Sequence, residues 1–248
     1  MTDLTCDDFL GGKVRLWQPR KGYRAGVDPV FLAAACPATA GQTVLELGCG
    51  VGAASLCLAA RVPVKVTGIE VQPDYADLAR KNAAENSADY TVHTADLRSL
   101  PPEVRNTTYD HVIMNPPYYD RSASTAATDT GRDIALGGDT PMADWIDTAT
   151  RRLAPKGYLT LIQRIDRLPD MLAAIDERLG SIVVKPLQPR VGRESTLFIL
   201  QARKGGRAAF RLLSPLLLHA GDAHIFEGES YTTDVTAILR AGQTLGMF

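Results

Sequence analysis

Asn115-Pro116-Pro117-Tyr118 directly follows the apolar run Val112-Ile113-Met114, and the order of these residue types is the strongest chemical signal in the chain. A residue that precedes proline is pushed out of the helical region, so Asn115 has to leave the run extended. Two successive prolines fix their own φ angles and carry no N–H, which leaves the Pro116 carbonyl unclaimed by any helix. The product is a stiff turn that sets an amide side chain, a carbonyl and an aromatic face side by side. Two acceptors beside a π surface suit a flat group bearing an NH2, that is, a nucleobase amine or a carboxamide.

Glu46-Leu47-Gly48-Cys49-Gly50-Val51-Gly52 follows an earlier apolar run and opens a helical pattern. Glycines there allow tight turning and close backbone approach to a ligand, at the place where open parallel sheets bind nucleosides. The loop alone does not separate a nicotinamide cofactor from another nucleoside. Glu70 closes the next apolar run, and a carboxylate in that place can accept both hydroxyls of a ribose. Asp96, in Thr94-Ala95-Asp96-Leu97, follows the run after that. Its carboxylate suits an adenine amine and the Leu97 N–H a ring nitrogen, the alternative being an Asx turn. Glu46, Glu70 and Asp96 thus fall at the ends of consecutive strands, where one bound nucleoside would lie.

The elements that position these residues read as alternating strands and helices. Strands are predicted over Thr43–Leu47, Lys65–Glu70, Tyr90–Thr94, Tyr109–Met114, Tyr158–Ile162, Ile182–Lys185 and Thr196–Gln201. Helices are predicted over Ala53–Arg61, Asp74–Asn86, Met142–Leu153 (Thr140 as cap, Pro141 at the first position) and Leu168–Leu179, closed by Gly180. Such alternation predicts an α/β fold with a seven-stranded, mostly parallel sheet and helices on both faces. No helix separates the last two strands, so they should pair antiparallel. Val30–Cys36 reads as an N-terminal helix capped by Asp28 with Pro29 first, and Thr233–Ala241 as a C-terminal one. Tyr119 to Asp139 is rich in Ser, Thr, Asp and Gly and longer than an ordinary connection, as functional or mobile loops are.

The chain of 248 residues has room for one large α/β domain, and its net charge of −1 argues against bulk binding of nucleic acid. Charge is unevenly placed, however. Lys13, Arg15, Arg20, Lys21 and Arg24 are interleaved with Trp17 and Tyr23, and Lys185, Arg190, Arg193, Arg203, Lys204, Arg207 and Arg211 face Glu194 alone. Local stripes of this kind suit contacts to a few phosphates, or are simply solvated faces. No run approaches the roughly 18 apolar residues of a membrane span, and the acidic start of the chain is unlike a signal peptide. Cys6, Cys36, Cys49 and Cys57 lack metal-type spacing and imply a reduced, cytoplasmic protein. His219 and His224 with Asp222 form a weak metal candidate, better read as surface loop; His93 and His111 read as structural and Cys49 as a small packing residue.

Together, the loop Glu46 to Gly52, Glu70, Asp96 and Asn115 to Tyr118 resemble the S-adenosylmethionine-dependent amino-methyltransferases of Rossmann-like, class I fold, over about residues 43–202. The flanks Phe9-Leu10-Gly11-Gly12, Gln18-Pro19, Gly22 through Asp28 and Leu32-Ala33-Ala34 are similar to the opening of the bacterial tRNA (adenine-N(6))-methyltransferase family, which modifies the adenosine 3′ of the anticodon of a valine tRNA. The resemblance implies a division into a cofactor-covering segment (1–40), a methyltransferase domain (41–203) and an extension packed on it (204–248). It implies S-adenosylmethionine as cofactor, held by Arg24, Asp28, Glu46, Gly48, Cys49, Gly50, Glu70, Val71, Asp96, Leu97 and Asn115. Asp28 would bind the methionine ammonium or cap its helix. Asn115 and the Pro116 carbonyl would clamp the target amine while Tyr118 stacks on the base. Pro117, Tyr119, Lys13, Arg20, Lys21, Arg190 and Arg193 are the expected RNA contacts, and no metal or membrane is implied. A protein glutamine or ribosomal RNA guanine methyltransferase, or a non-catalytic RNA-binding module, are the competing readings.

Overall fold

A computed structural model describes residues 3–118, 140–221 and 230–247. The chain opens with an antiparallel hairpin, β1 (Leu4–Phe9) and β2 (Val14–Pro19), where sequence patterning shows only a basic segment. Helix α1 (Asp28–Ala35) follows, then β3 (Thr43–Leu47), α2 (Ala53–Arg61), β4 (Lys65–Glu70), α3 (Pro73–Glu85), β5 (Tyr90–Thr94), the short α4 (Pro102–Arg105) and β6 (Tyr109–Met114). Beyond the residues not described come α5 (Met142–Arg152), β7 (Leu153–Arg164), α6 (Leu168–Ala174), β8 (Leu179–Gln188) and β9 (Leu197–Lys204). Two short strands, β10 (Arg211–Leu212) and β11 (Leu216–Leu217), and the helical turn α7 (Thr233–Thr236), prolonged by a π turn over Ala237–Ala241, complete the described chain.

Among the described residues the main sheet has nine strands in the order β10-β8-β9-β7-β6-β3-β4-β5, with β11 also on β8. The seven strands expected from sequence form its body. Only β9 runs against its neighbours, antiparallel to both β7 and β8, while β10 and β11 pair parallel to β8. The central strands are buried on both faces, as parallel strands covered by helices must be. Along β6, Ile113 packs into the layer of α1 and α2, whereas Val112 and Met114 pack with Trp145 and Ile146 of α5 in the other. All four strands β3 to β6 therefore end at one edge, and every residue singled out from the glycine loop to Tyr118 lies there.

Four local expectations are corrected. Asp28 is the first residue of α1, not its cap; Val27 holds the cap position, with no side-chain bond. Pro141 precedes α5, and Thr140 does not cap it. The helix expected to reach Leu179 stops at Ala174, since Leu179 and Gly180 pair with Lys204 and Arg203 of β9. Gly180 is required by close approach instead, because a Cβ there would run into the Gly206 carbonyl. The tail helix over Thr233–Ala241 forms as expected, though its second half winds as a π turn, and Thr232 caps it by accepting the Val235 N–H at 3.4 Å.

His111 in β6 bears out its structural reading and carries a pH dependence. Its Nε2 lies 2.8 Å from Gln42 Oε1, an atom that also accepts the Thr39 N–H, so the ring donates from Nε2. Nδ1 has no hydrogen-bond partner among the described residues. Burial lowers the pKa from 6.5 to about 4, against the pull of Asp110. The unfolded chain then binds the extra proton first, so this stability is present above pH 6.5 and is lost as pH falls toward about 4. The loss amounts to about 3 kcal/mol. Urea unfolding of His111→Gln between pH 7 and 4.5 should show a shallower decline than the parent; parallel curves would contradict the assignment.

Candidate active site

The turn after β3 depends on glycine in two ways. Gly48, Gly50 and Gly52 have φ of +66°, +55° and +87°, where a side chain is strained. At Gly48 a Cβ would also lie 2.6 Å from Cη2 of Trp145, so the indole of α5 braces the loop from beneath. The Cys49 N–H donates to the Ile69 carbonyl at 2.9 Å, tying the loop to β4. Gly48→Ala is expected to cost about 2 kcal/mol of stability from its positive φ and the displaced indole. Its signature is a lower melting temperature together with weakened nucleoside binding; an unchanged melting temperature would show that the brace is slack.

Glu70, at the end of β4, accepts the Gly50 N–H at 2.8 Å on one oxygen and the Gln72 N–H at 2.9 Å on the other. Each carboxylate oxygen has a second lone pair, so the group is held rigidly and still has capacity for two hydroxyls. Burial holds its pKa above the usual carboxylate value, and these backbone donors offset only part of that rise. Val71 beside it leaves an apolar surface 52% exposed. Glu46 is placed differently from Glu70. It lies under the loop, where Ser55 of α2 donates to it from both its N–H and its Oγ, and burial pushes its carboxyl up to about 8. Cys49 is buried with Ala76, Ala79 and Val92, in keeping with a packing residue.

Asp96 stands at the same edge after β5, and its carboxylate is engaged by Arg98. Nη2 of Arg98 donates at 2.6 Å to one oxygen and its backbone N–H at 2.8 Å to the other. The side-chain bond to Arg98 is the main cause of the lowered Asp96 pKa. This is the Asx-turn alternative, with a guanidinium added. Leu97 is buried and its carbonyl accepts from Thr148 of α5.

Asn115 directly follows the end of β6 at this edge, and its Oδ1 is buried with no hydrogen-bond partner among the described residues. The Asn115 amide also acts on the Tyr118 hydroxyl, pulling its pKa down against burial. The Tyr118 hydroxyl donates to Asp28 Oδ2 in α1, and burial together with Asp28 raises the phenol's pKa. Asp28 therefore ties α1 to Tyr118. The Pro116 carbonyl is claimed by no helix, as expected, but it is engaged by a side chain. Gln163 at the end of β7 donates Nε2 to it at 3.1 Å and to the Pro117 carbonyl at 3.3 Å.

The hairpin brings the segment 20–27 across the edge. Asn82 of α3, fully buried, accepts the Trp17 N–H at 2.8 Å and donates to the carbonyls of Trp17 and Val51 at 3.0 and 2.9 Å. Tyr23 is anchored by its N–H on the Tyr75 hydroxyl at 3.0 Å, and its ring is the nearest group to a Cβ built on Gly50. Arg24 turns back to the hairpin, bonding Asp7 at 2.6 Å, Thr5 and the Pro19 carbonyl. Of the expected RNA contacts, Lys13 donates to the Ala241 carbonyl, Arg20 pairs with Asp3, and Arg190 bonds the carbonyls of Ala220 and Gly221. Lys21 and Arg193 are exposed; Tyr119 lies outside the described residues, as do His224, Asp222 and the stretch 119–139. Gln163, Ser55, Asn82 and Trp145 were not anticipated from sequence. Gln163 had a signal of its own, a polar residue ending an apolar strand in the manner of Glu46 and Glu70.

The strand order, the glycine turn after the first sheet strand and the acidic residues closing the next two define a class I methyltransferase. A family model described as Methyltransferase small domain matches residues 26–182. A relative from Porphyromonas gingivalis (strain ATCC 33277), described as tRNA1(Val) (adenine(37)-N6)-methyltransferase, is 37% identical over 72% of this chain and 73% of its own. A relative from Aeromonas hydrophila with the same description is 27% identical over 75% of this chain and 79% of its own. Among solved structures, a predicted O-methyltransferase from Agrobacterium tumefaciens superposes with a TM-score of 0.72 at 26% identity, covering 88% of this chain and all but 2% of the other (98% covered). The 16S rRNA N2 G1207 methyltransferase of T. thermophilus, at 18% identity and a TM-score of 0.56 over 81% of this chain and 50% of its own, shares the fold. The chain belongs to the Methyltransferase small domain family and, within it, to the family of the tRNA1(Val) (adenine(37)-N6)-methyltransferases.

Proposed function

We propose that this protein transfers a methyl group from S-adenosylmethionine to the N6 amine of an adenine in tRNA, with adenosine 37 of a valine tRNA as the target named for its relatives. The observation that carries the reading is the Oδ1 of Asn115, buried and without a hydrogen-bond partner among the described residues, one residue before the Pro116 carbonyl. A buried acceptor left unpaired is costly and is retained where a ligand donor completes it. The residues at the edge also fit the cofactor. Gly50 carries no Cβ beside Tyr23 to narrow the space over the loop, Glu70 has lone pairs for a ribose, and Val71 offers apolar surface to a purine ring.

The target amine is a poor nucleophile because its lone pair is delocalised into the ring. Accepting its N–H bonds at Asn115 Oδ1 and the Pro116 carbonyl favours a pyramidal nitrogen with a directed lone pair. Tyr118, its hydroxyl fixed by Asp28, presents its ring to the base. S-adenosylmethionine, when bound, supplies a methyl group already activated by the sulfonium. The chain's contribution is therefore positioning, and the amine gives up its proton to water after transfer.

In this reading residues 1–40 cover the cofactor, 41–203 form the catalytic domain and 204–248 extend it, with Lys21 and Arg193 as the leading phosphate contacts. Among the described residues no helix is long and apolar enough to cross a membrane, and no group of three metal-type ligands is present. The four free cysteines suit a reducing cytoplasm. The test offers labelled S-adenosylmethionine with unmodified tRNA, ribosomal RNA or a release-factor-like protein. Label in tRNA supports the reading, and label on a protein glutamine or an RNA guanine overturns it.

A further inference from the structure

We propose that Gln163 is a positioning residue for methyl transfer, holding the Pro116 carbonyl in place so that its second lone pair meets the target amine. The inference rests on the amine-clamp reading above. Pro116 and Pro117 have no N–H to give, so they cannot donate to the sheet ladder that holds β6. The β6–β7 pairing ends at Met114 opposite Leu161, and continuing that register by two residues sets Pro116 beside Gln163. Gln163 supplies the missing tie from its side chain. Its Nε2 reaches the carbonyls of Pro116 and Pro117 at 3.1 and 3.3 Å, and its Oε1 accepts the Arg164 N–H at 2.8 Å, which fixes the amide's orientation.

Gln163 is fully buried with the apolar Phe198 of β9 as its cross-strand neighbour, and its side chain bonds the carbonyls of the Pro-Pro turn and the adjoining Arg164 N–H. A carbonyl oxygen has two lone pairs, and one donor from the protein leaves the other free at a fixed angle. Gln163 touches neither amine nor cofactor in this account. It acts through Pro116.

The test compares Gln163→Leu, Gln163→Glu and Asn115→Ala with the parent in kcat on unmodified tRNA, cofactor Kd and melting temperature. Gln163→Leu is expected to lower kcat about 100-fold, the scale of a small misplacement of a catalytic group, with cofactor Kd unchanged. In Gln163→Glu a protonated carboxyl can still donate to Pro116 and an ionised one cannot. Its kcat should therefore recover relative to the parent as pH falls. The groups packed against position 163, Phe198 and Pro116, do not titrate, and Arg164 and Asp166 nearby are ion-paired. The proposal is overturned if Gln163→Leu keeps parental kcat, if kcat and cofactor Kd worsen together, or if the Gln163→Glu profile parallels the parent. Should Asn115→Ala turn over normally, the clamp itself fails and this proposal with it, a pattern distinct from the loss of Gln163's role alone.

Discussion

Asn115→Ala is expected to lower kcat on tRNA by about a thousandfold, the cost of removing one preorganised hydrogen-bonding group from a site of this kind. Cofactor affinity should be unchanged, because the lost oxygen is aimed at the acceptor amine. The stability consequence is the more telling half. Oδ1 is buried and unpaired among the described residues, so the parent bears a penalty that alanine removes. The amide's bond to Tyr118 is lost at the same time. These changes are each of order 1 kcal/mol and opposite in sign, so the melting temperature should move by only a few degrees. A dead enzyme of near-parental stability is the expected pattern. A large fall in melting temperature would mean that Asn115 is a structural turn residue.

Glu70→Ala should act on binding. Its carboxylate is the acceptor for the N–H groups of Gly50 and Gln72, and alanine leaves both without it. Losing charge-assisted bonds to a ribose as well predicts a fall in cofactor affinity of about 100-fold or more, roughly 3 kcal/mol. Because the Gly50 N–H belongs to the glycine turn, stability should also drop, by about 1–3 kcal/mol. Calorimetry with the cofactor, alongside thermal unfolding, separates the two effects. If Glu70→Ala binds the cofactor as the parent does, the ribose assignment is wrong, whatever happens to stability.

Strands β3, β4, β5 and β6 were legible in the sequence to their end residues, and for the inner strands β3, β4 and β6 the reason is physical. A parallel strand buried on both faces must be a short apolar run, and the residue that ends it at the ligand edge is polar. Glu70 and Asn115 stand out on that ground. The hairpin β1–β2 was not legible. Leu4–Phe9 carries Asp7 and Asp8, and its side chains are stabilised by distant partners such as Gln18 and Arg24. The short α6 was overextended because the apolar stripe from Leu168 to Leu179 continues into β8, and only the pairing with β9 decides where the helix stops.

Within the site the same distinction holds. The residue types were readable, but the ties between them were not. Gln163 to Pro116, Asn82 to Val51 and Arg24 to Asp7 join segments whose proximity only the fold creates. Arg98 is a nearer case: two residues from Asp96, it donates to that carboxylate from its side chain and its backbone N–H.

The most direct test of the central claim is the identity of the methylated nucleoside. An unmodified valine tRNA transcript is incubated with the protein and S-adenosylmethionine, digested to nucleosides and resolved by mass spectrometry. A matched transcript carries inosine at position 37, which lacks the exocyclic amine. N6-methyladenosine from the first transcript, and no methylation of the second, is the predicted result. Methyl transfer to the inosine transcript, or a product methylated at a ring nitrogen, would contradict the amine clamp of Asn115 and Pro116.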